Sequence, residues 1–281
     1  MQNIKQSFKT VILLTLISSV FLISGYFLGG QSGLFISLII SLAFNFGSYF
    51  FSHKVILSMH RAKELNKSHK LYVLVNNISQ NAQIPTPKVY LYENTELNAF
   101  ATGRDPKNGV VALSTGLVNR LDQEELKGVI AHELAHIKNR DVLIATISAT
   151  IATAISYLGN FIFFSPNQND EEGGTNPIYT IFLIFVAPII ASLIQFSISR
   201  SREYIADSTG AKIAQSPNGL ISALEKISQS YSSKANNTNN NINKSMSHMY
   251  IFNPFNNSNL TKIFSTHPPV EERIKKLKKY Y

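Results

Sequence analysis

Hydrophobic and polar positions divide the chain into long uncharged runs and shorter patterned stretches. Residues 10 to 52 carry no charged side chain, and Gly29-Gly30-Gln31-Ser32-Gly33 interrupts this run near its middle. Residues 142 to 164 and 178 to 199 are two more uncharged runs, rich in Ile, Leu and Phe. A helix of about 20 apolar residues crosses a hydrocarbon core. The pattern therefore predicts four transmembrane helices in two hairpins, residues 1 to 52 and 142 to 199, separating two non-membrane parts, residues 53 to 141 and 200 to 281. A cleaved signal peptide competes for the first run, with Lys5 and Lys9 as its basic start. The length of the run and the second span that follows at once argue against it.

Between the runs the pattern shortens. Residues 53 to 70 read as a basic helix leaving the second span, with Lys54, Arg61, Lys63, Lys67 and Lys70 suited to anionic headgroups. Leu71 to Ala82 reads as a helix. Alternation of Val89 and Leu91 makes Lys88 to Glu93 a strand, and Asn98 to Gly103 and Gly109 to Ser114 are two more, joined by the turn-forming Arg104-Asp105-Pro106-Lys107-Asn108. Asp122 followed by Glu125 is a capping-box signature, and Leu126, Val129, Ile130 and Leu134 recur at helical spacing after it. Residues 232 to 262, rich in Asn and Ser around the apolar Met249 to Phe255, read as a mobile segment that contacts the membrane, covers a groove or simply packs. Pro188 predicts a kink, Asn45 and Gln195 are expected to face other helices, and His53, His60, His69 and His248 read as ordinary surface residues.

Charge adds an orientation. Of 281 residues only 15% are charged, with a net charge of +9, and none of the 26 Lys and Arg falls in residues 29 to 33 or 165 to 177. The second of these connections carries Asp170, Glu171 and Glu172 instead. The positive-inside rule then puts both connections outside and everything else that is not a span in the cytoplasm. A nucleic-acid surface would also explain the basic balance, but no aromatic-interleaved basic motif or helix-turn-helix pattern accompanies it, so no nucleic-acid partner is expected. The absence of cysteine suits a reducing compartment.

The candidate chemistry sits in His132-Glu133-Leu134-Ala135-His136. Four helical residues return to the same face, so His132 and His136 can share one metal ion, with Glu133 beside it and placed to take a proton from water. Two ligands hold zinc poorly, so a third donor is required. Ser199-Arg200-Ser201-Arg202-Glu203-Tyr204-Ile205-Ala206-Asp207 supplies one, because a membrane hairpin between residues 142 and 199 returns the chain to the leaflet it left. Glu203 completes a His2Glu set for one Zn2+, and Asp207, one turn on, can accept the free ring N–H of a ligand histidine.

These motifs, together with Asn98-Ala99-Phe100-Ala101-Thr102-Gly103, Ser114-Thr115-Gly116-Leu117 and Thr266-His267-Pro268-Pro269, resemble the HtpX family of bacterial membrane zinc metalloproteases nearly end to end. The resemblance implies a mainly α membrane protein with a split, zincin-like (gluzincin-like) α+β catalytic domain in the cytoplasm. It further implies a multi-pass endopeptidase of the cytoplasmic (inner) membrane, kinship with the CAAX-processing membrane proteases, quality control of misfolded membrane proteins as a stress response, and self-cleavage. Arg140 stands where a glycine is expected in many relatives. His267 is the candidate that holds the oxyanion, because the resemblance places its His-Pro motif near the site; an ordinary helix start at Pro268-Pro269 is the other account of that motif. Zincin-like enzymes bind substrate along an edge strand, here Asn98 to Gly103 (with Asn98, Ala99 and Phe100 as contacts) or Gly109 to Ser114; both could equally be core strands. A silent zinc scaffold would not need Glu133. A metal transporter would place its ligands inside the spans rather than at their ends.

Overall fold

The computed structural model describes residues 2–143, 147, 200–235 and 268–280. The expectations for the third and fourth spans, the 165 to 177 connection, His248, His267 and most of the 232 to 262 segment lie outside them.

Helix α1 (Gln2–Met59) is two arms joined by a break at Gly29 and Gly30, where Gly30 takes the left-handed φ of 57° that only glycine adopts without strain. The arms pack on each other: the Asn45 side chain donates to Ser18 Oγ at 2.8 Å, and the Phe21 and Phe44 rings stand 5.5 Å apart. Asn45 thus faces the other arm, as its polarity demands. Among the described residues, Gly29–Met59 is long and apolar enough to cross a membrane, and it exposes Phe35, Ile36, Ile39, Leu42 and Phe46.

The basic helix expected over residues 53 to 70 is formed only as far as Met59. The helix stops at Met59 because Arg61 turns left-handed (φ 49°) and the Ala62 N–H returns to the Leu57 carbonyl at 2.9 Å. Strand β1 (Lys63–Glu64) follows, and His69 caps α2 (Lys70–Ala82) by accepting the Leu71 N–H. His60 departs from the surface role expected of it. It lies half-buried with its ring 5.0 Å from both the Tyr92 and Phe100 rings, because the end of α1 packs onto the sheet.

The sheet comprises β1, β2 (Lys88–Tyr92), β3 (Ala99–Thr102) and β4 (Val110–Ser114) in the order β1-β2-β4-β3. β2 and β4 are parallel and the other pairs antiparallel. Of the two strands proposed for an edge role, β3 is therefore outermost among the described strands and β4 is interior. Alternation splits their side chains between two cores. Val89, Ala99, Val111 and Leu113 face α2 and the helix bearing the histidines, while Tyr92, Phe100, Val110 and Ala112 face Ile56 and Leu57 of α1.

After the short α3 (Thr115–Arg120), helix α4 (Gln123–Lys138) begins with both halves of the capping box made at 2.9 Å between Asp122 and Glu125. Helices α5 (Arg200–Ala214), α6 (Asn218–Ala235) and α7 (Val270–Tyr280) complete the described fold. α4 is its centre. Val129, Ile130, Leu134 and Ile137 are wholly buried, each contributing about 1.5–3 kcal/mol, and α2, β3, α5 and α6 surround the helix.

Candidate metal centre

The close packing of α5 on α4 builds the site. A Cβ at Gly210 would lie 2.9 Å from His132 Cα, so only glycine lets the two helices approach there. Glu203 and Asp207, two turns and one turn earlier on α5, consequently overlie the histidines. His136 Nε2 is 3.4 Å from Glu203 Oε1 and His132 Nε2 is 3.6 Å from Glu203 Oε2. One donor atom from each of His132, His136 and Glu203 lies within 4.8 Å of the others. Tetrahedral ligands at zinc bond lengths of about 2.0–2.1 Å stand about 3.3 Å apart, so these residues fit such an ion with little adjustment.

The orientation of each imidazole follows from a carboxylate behind it. His132 Nδ1 is 3.0 Å from Asp207 Oδ1, and His136 Nδ1 is 3.3 Å from Asp141 Oδ2. With a proton on Nδ1 and none on Nε2, the state that metal binding requires, both Nε2 lone pairs would point toward Glu203. Asp141 reaches His136 through the helix end. Arg140 is left-handed (φ 59°), the Arg140 N–H returns to the Ile137 carbonyl and the Asp141 N–H to the His136 carbonyl, which is a Schellman ending. The position where a glycine was expected thus has the backbone that favours one, and arginine adopts it.

Arg273 was not singled out by sequence reasoning, which saw only a helix start there. Its side chain is 0% exposed and forks onto Asp207, with Nη2 also 3.5 Å from His132 Nε2. No local signal marks it, because its partners are 66 and 141 residues away.

Electrostatics separate the groups. Burial pushes Glu133 up to about 7, helped by Glu203 and opposed by His136. Burial also lowers His132, outweighing the Asp207 contact. For His136 burial acts the same way but loses to the Glu203, Asp141 and Glu133 carboxylates, which raise it to about 9. Asp207 falls to about 2 because Arg273 and His132 overcome its burial, so it stays an acceptor.

On the other side of α4, the Glu133 carboxyl accepts a hydrogen bond from the Ala101 backbone. The Ser114 N–H donates to the Asn98 carbonyl, so in the antiparallel alternation Asn98, Phe100 and Thr102 bond toward β4 while Ala99, buried, and Ala101, partly exposed, face away from it. The Asn98 side chain is buried and donates to Tyr92 Oη at 3.0 Å, and Phe100 packs beneath the sheet with Tyr92. Of the expected contacts, Ala99 is the one whose backbone faces away from β4.

Residues 65–281 match the model described as Peptidase family M48. The chain belongs to peptidase family M48. It is 46% identical over 274 residues to a Protease HtpX homolog of Persephonella marina, covering 96% of this chain and 95% of that one, and 48% identical to another from Thermodesulfovibrio yellowstonii, covering 96% of each. It is thus an HtpX-family metalloprotease. A crystal structure of S. mikatae Ste24p shares its fold, with a TM-score of 0.53 at 18% identity over 98% of this chain and 66% of the other. Membership of M48 implies a metal, and His132, His136 and Glu203 are the described residues that could hold it.

Proposed function

We propose that this HtpX-family protease is a zinc endopeptidase that cleaves misfolded or damaged membrane proteins at the cytoplasmic face of the bacterial inner membrane. The observation that carries the reading is the position of Glu133: a buried carboxyl raised to about 7, flanked by two histidines and a glutamate at metal-ligand spacing and accepting a hydrogen bond from the backbone of β3. A purely structural metal site needs no such group.

His132, His136 and Glu203 would hold one Zn2+ per chain. When bound, the ion would supply Lewis-acid polarisation of the scissile carbonyl and acidify water beside it. The chain's own residues do the rest. An extended substrate would approach β3 at Ala101, the partly exposed position of that strand. Glu133 accepts the proton of the attacking water and later passes it to the leaving amine, a role that its position beside the ligand set suits. Asp207 and Asp141 keep the imidazoles oriented throughout. His267, six residues before Arg273, is the proposed oxyanion donor. Four spans, with the 53 to 141 and 200 to 281 parts in the cytoplasm, remain the reading that the basic-residue asymmetry supports. Self-cleavage, with this same chain as substrate, is part of the reading.

The test is purification in detergent with zinc and comparison of wild type with Glu133→Gln on an unfolded substrate. Both bind zinc, and the variant loses about 100- to 10,000-fold in rate. Equal rates, or no zinc in either protein, would overturn the mechanism. Glu203→Ala keeps the fold and loses zinc; full occupancy would remove Glu203 from the ligand set.

A further inference from the structure

Where α1 leaves its uncharged run, three cations gather beside it. The run ends at Ser52, and Lys54 is the first cation after it. Lys54, Arg104 and Lys88 all stand within electrostatic reach of His53. Arg104 comes from the β3–β4 connection, and its guanidinium lies 5.0 Å over the Phe50 ring. Lys88 opens β2 and is in register with Val110, the first residue of β4, so Lys88 and Arg104 belong to the same end of the sheet.

Helical spacing sets an order along α1. Phe46, Phe50, His53, Lys54 and Leu57 fall on one side of it. Leu57 packs against the sheet, Phe50 lies under Arg104, and Phe46, one turn further into the uncharged run, is exposed. Aromatic rings at the end of an uncharged run, with cations directly beyond them, mark the boundary between acyl chains and headgroups.

The protein neutralises these cations only in part. Lys88 is 3.1 Å from Glu64. Asp105 is 3.4 Å from Arg104 Nε, but both its oxygens already accept hydrogen bonds within the turn, from the Lys107 and Asn108 backbone and from the Asn108 side-chain amide. Lys54 is exposed, with the Phe51 ring 5.2 Å away and no carboxylate partner among the described residues.

We propose that this side of α1 and the β3–β4 connection form a headgroup site for one anionic phospholipid. Its phosphate lies among Lys54, His53 and Arg104, and an acyl chain runs along Phe50 and Phe46. A phosphate held by cations from both elements ties the basic end of the sheet to the apolar arm, at the level where the uncharged run ends. A zwitterionic lipid brings its own ammonium beside the phosphate, so the site discriminates by net charge.

The chain contains no tryptophan, so a single introduced indole reports its own surroundings. Phe46→Trp puts it on the acyl side of the site and leaves Phe50 and Arg104 in place. Phe35→Trp, exposed near the opposite end of the arm, is the reference. The full-length protein with zinc is placed in vesicles of phosphatidylcholine and phosphatidylglycerol, and quenching by dibrominated acyl chains of either lipid gives the relative occupancy beside each indole. The expected result is an about fivefold preference for phosphatidylglycerol in Phe46→Trp, the increment of one basic side chain near the surface, and none in Phe35→Trp. Adding Arg104→Gln or Lys54→Gln brings that preference toward parity, whereas Lys279→Gln, which removes the same charge from α7, leaves it unchanged; helical circular dichroism checks that each variant is folded. Parity in Phe46→Trp alone overturns the site, and so does a preference that the three glutamine variants change equally or not at all. Loss of the preference on adding inorganic phosphate at constant ionic strength would show a site for a soluble anion and overturn the assignment to lipid.

Discussion

Arg273 grips both oxygens of Asp207, with Nη2 2.6 Å from Oδ1 and Nε 2.9 Å from Oδ2. The same Oδ1 lies 3.0 Å from His132 Nδ1, so helix α7 reaches the metal centre through one carboxylate. Arginine's rigid fork, and not its charge alone, sets where that oxygen points. Arg273→Lys keeps the charge and loses the fork, and is expected to weaken zinc about tenfold in chelator competition while helical circular dichroism stays unchanged. Arg273→Met leaves Asp207 buried without its cation and should cost about 3–5 kcal/mol of stability. Undiminished zinc affinity in the lysine variant would show that Asp207 needs no such support.

Gly210 offers a second handle on the same geometry. A methyl group there meets His132 Cα at 2.9 Å, backbone that cannot swing aside. Gly210→Ala should lose about 1–3 kcal/mol and, by lifting Glu203 and Asp207 off the histidines, should also lose the thermal stabilisation that added zinc confers on wild type. Wild-type melting with and without zinc would refute the close-approach argument.

Arg140 predicts a change in the other direction. It holds a left-handed backbone at the end of α4, costing about 1–2 kcal/mol, and its side chain is exposed. Arg140→Gly relieves that cost, less the extra freedom glycine has when unfolded, for a net gain of about 0.5–1 kcal/mol. The melting temperature in detergent should rise. A fall would mean that the arginine side chain makes a contact worth more than the strain.

Acid should loosen the junction between α4 and α6. Glu125 is buried, which by itself would raise its pKa, yet Lys226, Ser222 and the Asp122 cap bring it below the ordinary value. The Lys226 ammonium is 2.6 Å away. A depressed carboxyl pKa contributes stability above its unfolded value of about 4.3, and the contribution disappears as pH falls through the folded value. Glu125→Gln should therefore be less stable than wild type at pH 7, with the difference shrinking below about pH 4. Parallel pH profiles for the two proteins would count against this ion pair.

The metal helix, its capping box, α2 and the three strands β2, β3 and β4 were legible in the sequence because each is written in local periodicity. Short-range chemistry was legible too: a histidine pair one turn apart asks for a third ligand, and an acidic pair one turn apart stood beyond two uncharged runs. What the sequence by itself determined is therefore the kind of chemistry and the residues able to perform it. Only the tertiary structure decided that β3 and not β4 is outermost among the described strands, that Asp141 backs His136, that His60 is half-buried beside aromatic rings and that Arg273 holds Asp207. Each of these depends on a contact between segments far apart in the chain, or on a left-handed turn that an arginine adopts without advertising it. Such contacts are selected by how whole helices and strands pack, and packing energy is shared among many residues with no short pattern to mark it.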